Sequence, residues 1–490
     1  MPKVRDMRTL KIKLLVSGAL VASSLAAVST VGIAASSATT PTCTPSLAAK
    51  PSSVININFW ESMSKGLTNA GNEGALTSLV AAFNQAYAGK IHVNDINQTG
   101  GYTDTWTQYQ AAIKNKTAPQ VVMFDQYNTQ SAYDTGTILP ISACLTAAKA
   151  TTKAFLKQAI NSYSVGNTLE GMPFSASIPV MYYNQNALTA AKIKAAPTTL
   201  AQMAADQKIL QNTSVTYKGT TSKPFTQGVA LPEDPWLLMT WMGMSNSLFA
   251  NNNNGHTGRV TSVSFNNTTA QNYWTALQGM AKSGAEVNLA SSPNFNIAYG
   301  NLLALAGSTN AYGKAAITFS TTAALASIQS ELGLFPTVKL GVAPLPTLTG
   351  KAAGAEPTGG NGLFISTSNS TAAQEAASYV FTQYLTSASS MATWAAHTGY
   401  LPIRSDSVAS WKKQLGASYP YYAVGYNVIS KGSANYITAG PEIGAYDSVS
   451  TALTTGLENL LASPYPDSSL ELGIAQSQAN TAISNYNSRL

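Results

Sequence analysis

Charge is what this 490-residue chain has least of: Asp, Glu, Lys and Arg together make up 10% of it. Ser, Thr, Asn, Gln and Gly carry the polarity instead. A surface so poor in carboxylates changes little as pH falls, which suits an acidic habitat. There are three histidines, His92, His256 and His397, and none stands at a metal-ligand spacing from another His or Cys. A zinc site of ordinary spacing is thereby excluded, and no metal or cofactor is expected. Neither a GxxxxGK[ST] phosphate loop nor a GxSxG elbow occurs. The glycines at 354, 359, 360 and 362 precede no helix start that would face a phosphate, so they read as a bend beside a strand. Two cysteines, Cys43 and Cys144, suit an oxidising compartment, where a pair forms one bridge. Two unrelated buried thiols is the other reading. The Thr40-Pro41-Thr42 run before Cys43 lacks the small residues of a lipoprotein site.

The N-terminus has a plain logic. Lys3, Arg5, Arg8, Lys11 and Lys13 form a basic head, Leu14 to Ala35 is apolar, and Ser36-Ser37-Ala38 offers a cleavage site. Residues 1–38 therefore read as a secretory signal, with an uncleaved anchor as the alternative. Setting aside these five basic residues and Asp6 leaves 23 basic and 20 acidic residues, a balance that gives no footing for nucleic acid. The remaining 450 or so residues are too many for one core.

From Ile55 short apolar strands alternate with amphipathic helices. Ile55 to Phe59, Ile91 to Val93 and Val121 to Phe124 read as strands. Leu76, Leu79, Val80 and Phe83 share one helix face, and a second helix spans Trp106 to Lys114. Further on, strands are expected over 315–319, 340–343 and 363–365, and helices over 372–385, 446–461 and 470–486. The Asn251 to Gly255 run reads as an exposed polar turn. This rhythm predicts α/β sheets covered by helices on both faces.

Chemistry is harder to find. Glu61, Asp125, Glu233, Asp234 and Glu442 are candidate carboxylates for a glycosidase pair, but sequence spacing cannot show two of them facing each other. Seven tryptophans and 23 tyrosines in so uncharged a chain fit stacking on sugar rings.

The order of segments is more specific. Ile57-Asn58-Phe59-Trp60 is followed by Gly100-Gly101-Tyr102, by Ala118 to Val122, and by Gly171-Met172-Pro173-Phe174-Ser175-Ala176-Ser177-Ile178-Pro179-Val180-Met181-Tyr182-Tyr183-Asn184. Gly341 to Pro346, Gly359-Gly360 and His397 to Ile403 come later. This series resembles the extracellular solute-binding proteins of ABC importers, in the branch with the maltose and glycerol-3-phosphate binders. The resemblance implies a type II fold of two α/β lobes joined by hinge strands around a ligand cleft. It places 39–51 as an N-terminal extension, 52–178 with 346–386 in lobe one, and 182–341 with 390–490 in lobe two. Crossings fall near 178–182, 342–346 and 385–390, and a Cys43–Cys144 bridge would tie the extension to lobe one.

Carried over by matching positions, the resemblance implies ligand contacts from Tyr102, Asp125, Gln126, Ser175, Ser177, Trp236, Trp241, Thr321, Thr322, Gly360 and Tyr400. Glu442, in Glu442-Ile443-Gly444, stands where the glycerol-3-phosphate binder has an arginine. The expected ligand is therefore a neutral sugar or oligosaccharide, with glycerol 3-phosphate or a glycerophosphodiester as the alternative. The implied protein is an exported monomer, periplasmic, extracellular or anchored. It delivers to membrane permease subunits and has no catalytic residues. A secreted carbohydrate-active enzyme is the competing class.

Overall fold

The computed structural model describes residues 42–47, 51–63, 70–289, 312–335, 337–350, 352 and 355–490. The segment read as a signal, 1–38, and parts of the extension at 39–51 lie outside the described residues. Among those described, no helix is long and apolar enough to cross a membrane.

The first half builds one sheet from strands β1 (Ile55–Glu61), β2 (Ile91–Asn97), β3 (Val121–Asp125), β4 (Ile138–Leu139) and β5 (Met172–Ser177). A second sheet uses β6 (Pro179–Asn184), β7 (Gly228–Glu233), β8 (Glu286–Leu289), β9 (Ala315–Thr321) and β10 (Leu340–Ala343). The chain then returns to the first sheet as β11 (Gly359–Ser366). Strand order is β2-β1-β3-β11-β4 in the first, with β5 also on β11, and β8-β7-β9-β6-β10 in the second. In both, parallel pairs on one side give way to antiparallel pairs on the other. One residue, Ile178, separates β5 from β6, so the backbone changes sheet there within a single step.

Local sequence explains the elements. All five residues of β3 are buried, as a strand covered on both faces requires. Helix α1 (Ala70–Ala86) buries Leu76, Leu79, Val80 and Phe83, the stripe that its spacing predicts. Phe83 meets Phe381 of α7 (Ala372–Leu385) edge-on, and Phe381 meets Phe59 of β1, tying helix layer to sheet. A capping box between Thr371 and Gln374 starts α7. Between these lie α2 (Gly101–Asn115), α3 (Thr129–Asp134), α4 (Lys157–Ser162), α5 (Pro235–Met244) and α6 (Thr268–Lys282). Helices α8 (Ala388–Thr398), α9 (Tyr446–Leu461) and α10 (Ser468–Asn487) complete the set used below.

One core fills the first sheet and two flank the second, the smaller built on Val180, Tyr182, Ala230 and Trp411. Met391 and Trp394 of α8, with Tyr400 and Ile403, pack into the core of the first sheet. Trp241, Tyr273, Trp274 and the inner faces of α9 and α10 pack into the larger core of the second. Cys43 and Cys144 are bonded, with Cα atoms 4.9 Å apart, which fastens the described end of the extension to the helix Ile141–Ala147. The Asn251 run is a turn, but not wholly exposed. Asn252 and Asn253 take left-handed angles, and Asn254 turns inward, where its Oδ1 accepts from the backbone N–H of Phe249 and Ala250. Asparagine tolerates that conformation because its short side chain bonds locally.

Candidate functional site

The strands of the first sheet deliver a set of polar groups to one edge. β3 ends at Asp125, whose Oδ1 accepts from the backbone N–H of Tyr127 at 2.7 Å and caps the turn that carries Gln126. Opposite Asp125 in register is Asn361 of β11, and opposite Asn361 on the other side is Ser175 of β5. Asn361 Nδ2 donates to the hydroxyl of Tyr102 at 2.8 Å, and that hydroxyl lies 3.3 Å from the hydroxyl of Tyr400. Gly360 sits at φ 139°, and a Cβ there would run into the carbonyl of Ser175. Glycine is thus required for β11 and β5 to close on each other here. Ser177 pairs with Gly359 one step along.

The second sheet brings its own groups to the same place. β7 leads into Asp234, which caps α5 by accepting from the N–H of Trp236. The Trp236 ring packs against Gly359, where a Cβ would come within 2.7 Å of it, so the start of β11 and α5 are in direct contact. Tyr127, after β3, stacks on Tyr446 at the start of α9, with centroids 4.0 Å apart and planes 4° from parallel. Glu442 is buried just before α9, its backbone N–H donating to Asn254.

Electrostatics link these residues into one environment. Burial raises Asp125 to about 7, with Asp447 and then Asp234 adding repulsion against the pull of the backbone N–H groups. Burial lifts Glu442 well above the usual carboxylate range, and Asp125 adds to it. Asp234 rises to about 6 by burial, opposed by its cap bond. Burial also raises Tyr163, and Asp125, Tyr400, Glu442 and Tyr127 each push it further, so all of these share one pocket of low dielectric. None of the carboxylates is lowered by a Lys or Arg. Among the described residues no group of three His, Cys, Asp or Glu side chains is arranged to hold a metal.

The sequence-derived residues therefore divide. Tyr102, Asp125, Gln126, Ser175, Ser177, Gly360 and Tyr400 gather at the edge of the first sheet, with Trp236 packed against that edge and Glu442 coupled to Asp125. Trp241 goes elsewhere: it is fully buried in the second core, stacked on Tyr273 at 4.3 Å, with Nε1 donating to the carbonyl of Pro346. Five residues along α5 from Trp236, it falls on the opposite side of the helix. Thr321 and Thr322 serve the crossing. Thr321 Oγ1 caps the next turn, its carbonyl accepts from the Tyr182 hydroxyl, and the Thr322 N–H donates to Ile178. Of the other carboxylates, Glu233 accepts twice from Tyr273, and Glu61 accepts from Asn97 and from the backbone of Met63. Sequence reading missed Tyr127, Tyr163, Asn361, Tyr446 and Asp447. Tyr127 adjoins a named residue and Asn361 follows Gly360, but Tyr446 and Asp447 carry no local signal.

The family model for bacterial extracellular solute-binding proteins matches residues 78–418. No curated protein sequence matches the chain. Among solved structures, UgpB of Mycobacterium tuberculosis in complex with glycerophosphocholine superposes with a TM-score of 0.68 at 17% identity, covering 88% of this chain and 98% of that one. The GacH receptor of Streptomyces glaucescens, solved unliganded and with acarbose, gives 0.67 at 17% identity over 89% and 99%. An ABC substrate-binding protein of Listeria monocytogenes in complex with cycloalternan gives 0.67 at 15% over 88% and 99%.

Proposed function

The chain belongs to the bacterial extracellular solute-binding proteins, and from that premise we propose that it captures a phosphate-free carbohydrate between its two sheets for an ABC importer. One observation carries this reading. Unpartnered buried polar atoms of Gln126, Ser175, Asn361 and Glu442 gather where Tyr and Trp rings also meet, and among the described residues no cation stands with them. Sugar hydroxyls would partner such atoms while ring faces cover the apolar side of a pyranose. The lobes are 52–178 with 346–386 and 182–341 with 390–490, each built on one sheet, save that Met391, Trp394, Tyr400 and Ile403 pack into the core of the first. Closure occurs about the step at Ile178. The protein acts as an exported monomer that delivers to membrane permease subunits.

Glycerol 3-phosphate fits this site poorly. Its phosphate would approach Glu442 and Asp125 with no Arg or Lys among the described residues to receive it; the likeness to UgpB supports the glycerophosphodiester alternative. An enzyme would use the same carboxylates to break a bond. Incubating the protein with the sugar that raises its melting temperature, then analysing that sugar by mass spectrometry, separates the two. Intact sugar with raised melting temperature is the expected result. Accumulating product would move the protein into the enzyme class.

A further inference from the structure

The polar atoms left without partners in this cleft are mostly of one kind. Gln126 Oε1 and Asn361 Oδ1 are acceptors, and Glu442 Oε2 is one once its carboxyl ionises, each on a side chain at least nine-tenths buried. The Asn361 amide nitrogen is already committed to Tyr102, so its oxygen is the end that remains. Ser175 Oγ, also unpartnered, can donate or accept. Carboxylates surround them. Asp125 feels both Asp447 and Asp234, and Glu442 feels Asp125.

Burying several carboxylates near one another without a cation is costly; burial keeps them protonated, and a paired cation, a metal or a cationic ligand is what would ionise them. Among the described residues the ion pairs are Arg259–Asp134 and Arg404–Asp406, neither of which reaches this set. The other titratable groups nearby are phenols, Tyr102, Tyr127, Tyr163, Tyr400 and Tyr446, together with His256. The His256 Nε2 lies 2.8 Å from the Gly440 carbonyl, and burial lowers its pKa. Among the described residues no cationic side chain faces the carboxylates.

A neutral hydroxyl has one donor and spare acceptors, so it matches an acceptor-rich wall only in part. A protonated amine has donors, no acceptor and the missing charge, and aromatic faces attract it. We propose that the captured carbohydrate carries a protonated amine, which sits against Asp125 and Glu442 beside the Tyr127 ring. This rests on the carbohydrate-capture reading above and replaces its neutral ligand with a basic one. Because both carboxylates are raised in the empty protein, seating the cation drives protons off them. Binding below about pH 7 therefore releases protons.

Calorimetric titration of the whole protein against matched sugars tests it: glucosamine with glucose, galactosamine with galactose, and the β-1,4 glucosamine dimer with cellobiose. Repeating each titration in buffers of different ionisation enthalpy reads the protons released. At least one amino sugar is expected to bind about ten- to a hundredfold tighter than its neutral partner, with proton release. Glu442→Gln and Asp125→Asn are expected to bring that ratio close to one by weakening the amino sugar more than its neutral partner. Neutral sugars binding as well as their amino partners would overturn the amine seat and leave carbohydrate capture standing. Binding by neither class would remove both.

Discussion

Arg259 grips Asp134 through both guanidinium nitrogens, at 2.6 and 2.8 Å, and the Tyr486 hydroxyl donates to the same carboxylate at 2.9 Å. Asp134 ends α3, between β3 and β4 of the first sheet, whereas Arg259 precedes α6 and Tyr486 lies on α10, beside the second. The contact thus joins the two halves away from the crossing strands. The Asp134 side chain is 4% exposed and that of Arg259 35%, so part of the pair is shielded from solvent. Bidentate geometry adds direction to charge.

This pair should act as a latch on the closed form. Arg259→Ala would leave the buried Asp134 carboxylate with its Gln130 and Tyr486 donors but no cation, and cost the closed form about 1–3 kcal/mol. Sugar affinity is expected to fall roughly ten- to a hundredfold, mainly through faster release. Small-angle scattering of the sugar-free variant should show a larger radius of gyration than wild type. An unchanged affinity and radius would show that the pair is only a surface contact.

Two tryptophans five residues apart should behave differently. Trp241→Ala empties a fully buried site and removes a ring stacked on Tyr273, so it should destabilise by about 3–5 kcal/mol. Trp236→Phe keeps a ring against Gly359 and should leave the melting temperature within a few degrees. It should nevertheless weaken sugar binding about three- to tenfold, as expected for a trimmed aromatic platform. Denaturant melts and calorimetry on the two variants decide the assignment.

Much of this was readable in the chain beforehand. Periodicity alone placed α1, α7 and α9, because Leu76 to Phe83 and their counterparts bury one stripe each. The first-sheet edge was legible too, since Tyr102, Asp125, Ser175 and Gly360 lie within short ordered motifs. The second-sheet side was harder. Trp236 and Trp241 differ only in which face of α5 they occupy, and α5 is buried on every side, so no stripe distinguishes them. Thr321 and Thr322 look like ligand hydroxyls in sequence, but their hydrogen bonds go to the backbone around the crossing. Tyr446 and Asp447 enter the site only because α9 folds back over 300 residues of chain to meet Tyr127, a contact that no local pattern records.

Stability should be greatest in acid. Burial holds Glu233 and Glu356 at about 8 and Glu170 at about 7 in the folded protein, against an ordinary glutamate value of 4.5. A raised acid binds more protons folded than unfolded, so its stabilising effect is complete below about pH 4.5 and is lost as pH climbs through 7 to 8. Thermal melts should therefore show a higher midpoint at pH 5 than at pH 8. Glu356→Gln should reduce that difference, since Glu356 is raised by burial alone. A midpoint that rises toward pH 8 would contradict this.

Reduction should be felt globally. The Cys43–Cys144 bond closes a separation of 101 residues, for which the chain-entropy model gives about 4.7 kcal/mol. A Cys43→Ser variant should melt at lower temperature and should no longer respond to reductant. If it melts like wild type, the unfolded chain gains nothing from the cross-link.

Capture of a phosphate-free carbohydrate is tested most directly by calorimetry of the whole protein. The panel is neutral and amino sugars, their oligosaccharides, glycerol 3-phosphate and glycerophosphocholine. At least one sugar should bind with a dissociation constant in the micromolar range or below, and Asp125→Asn and Glu442→Gln should weaken it. Neither phosphate compound should give measurable heat. Tight binding of glycerol 3-phosphate or glycerophosphocholine, with every sugar silent, would contradict the account.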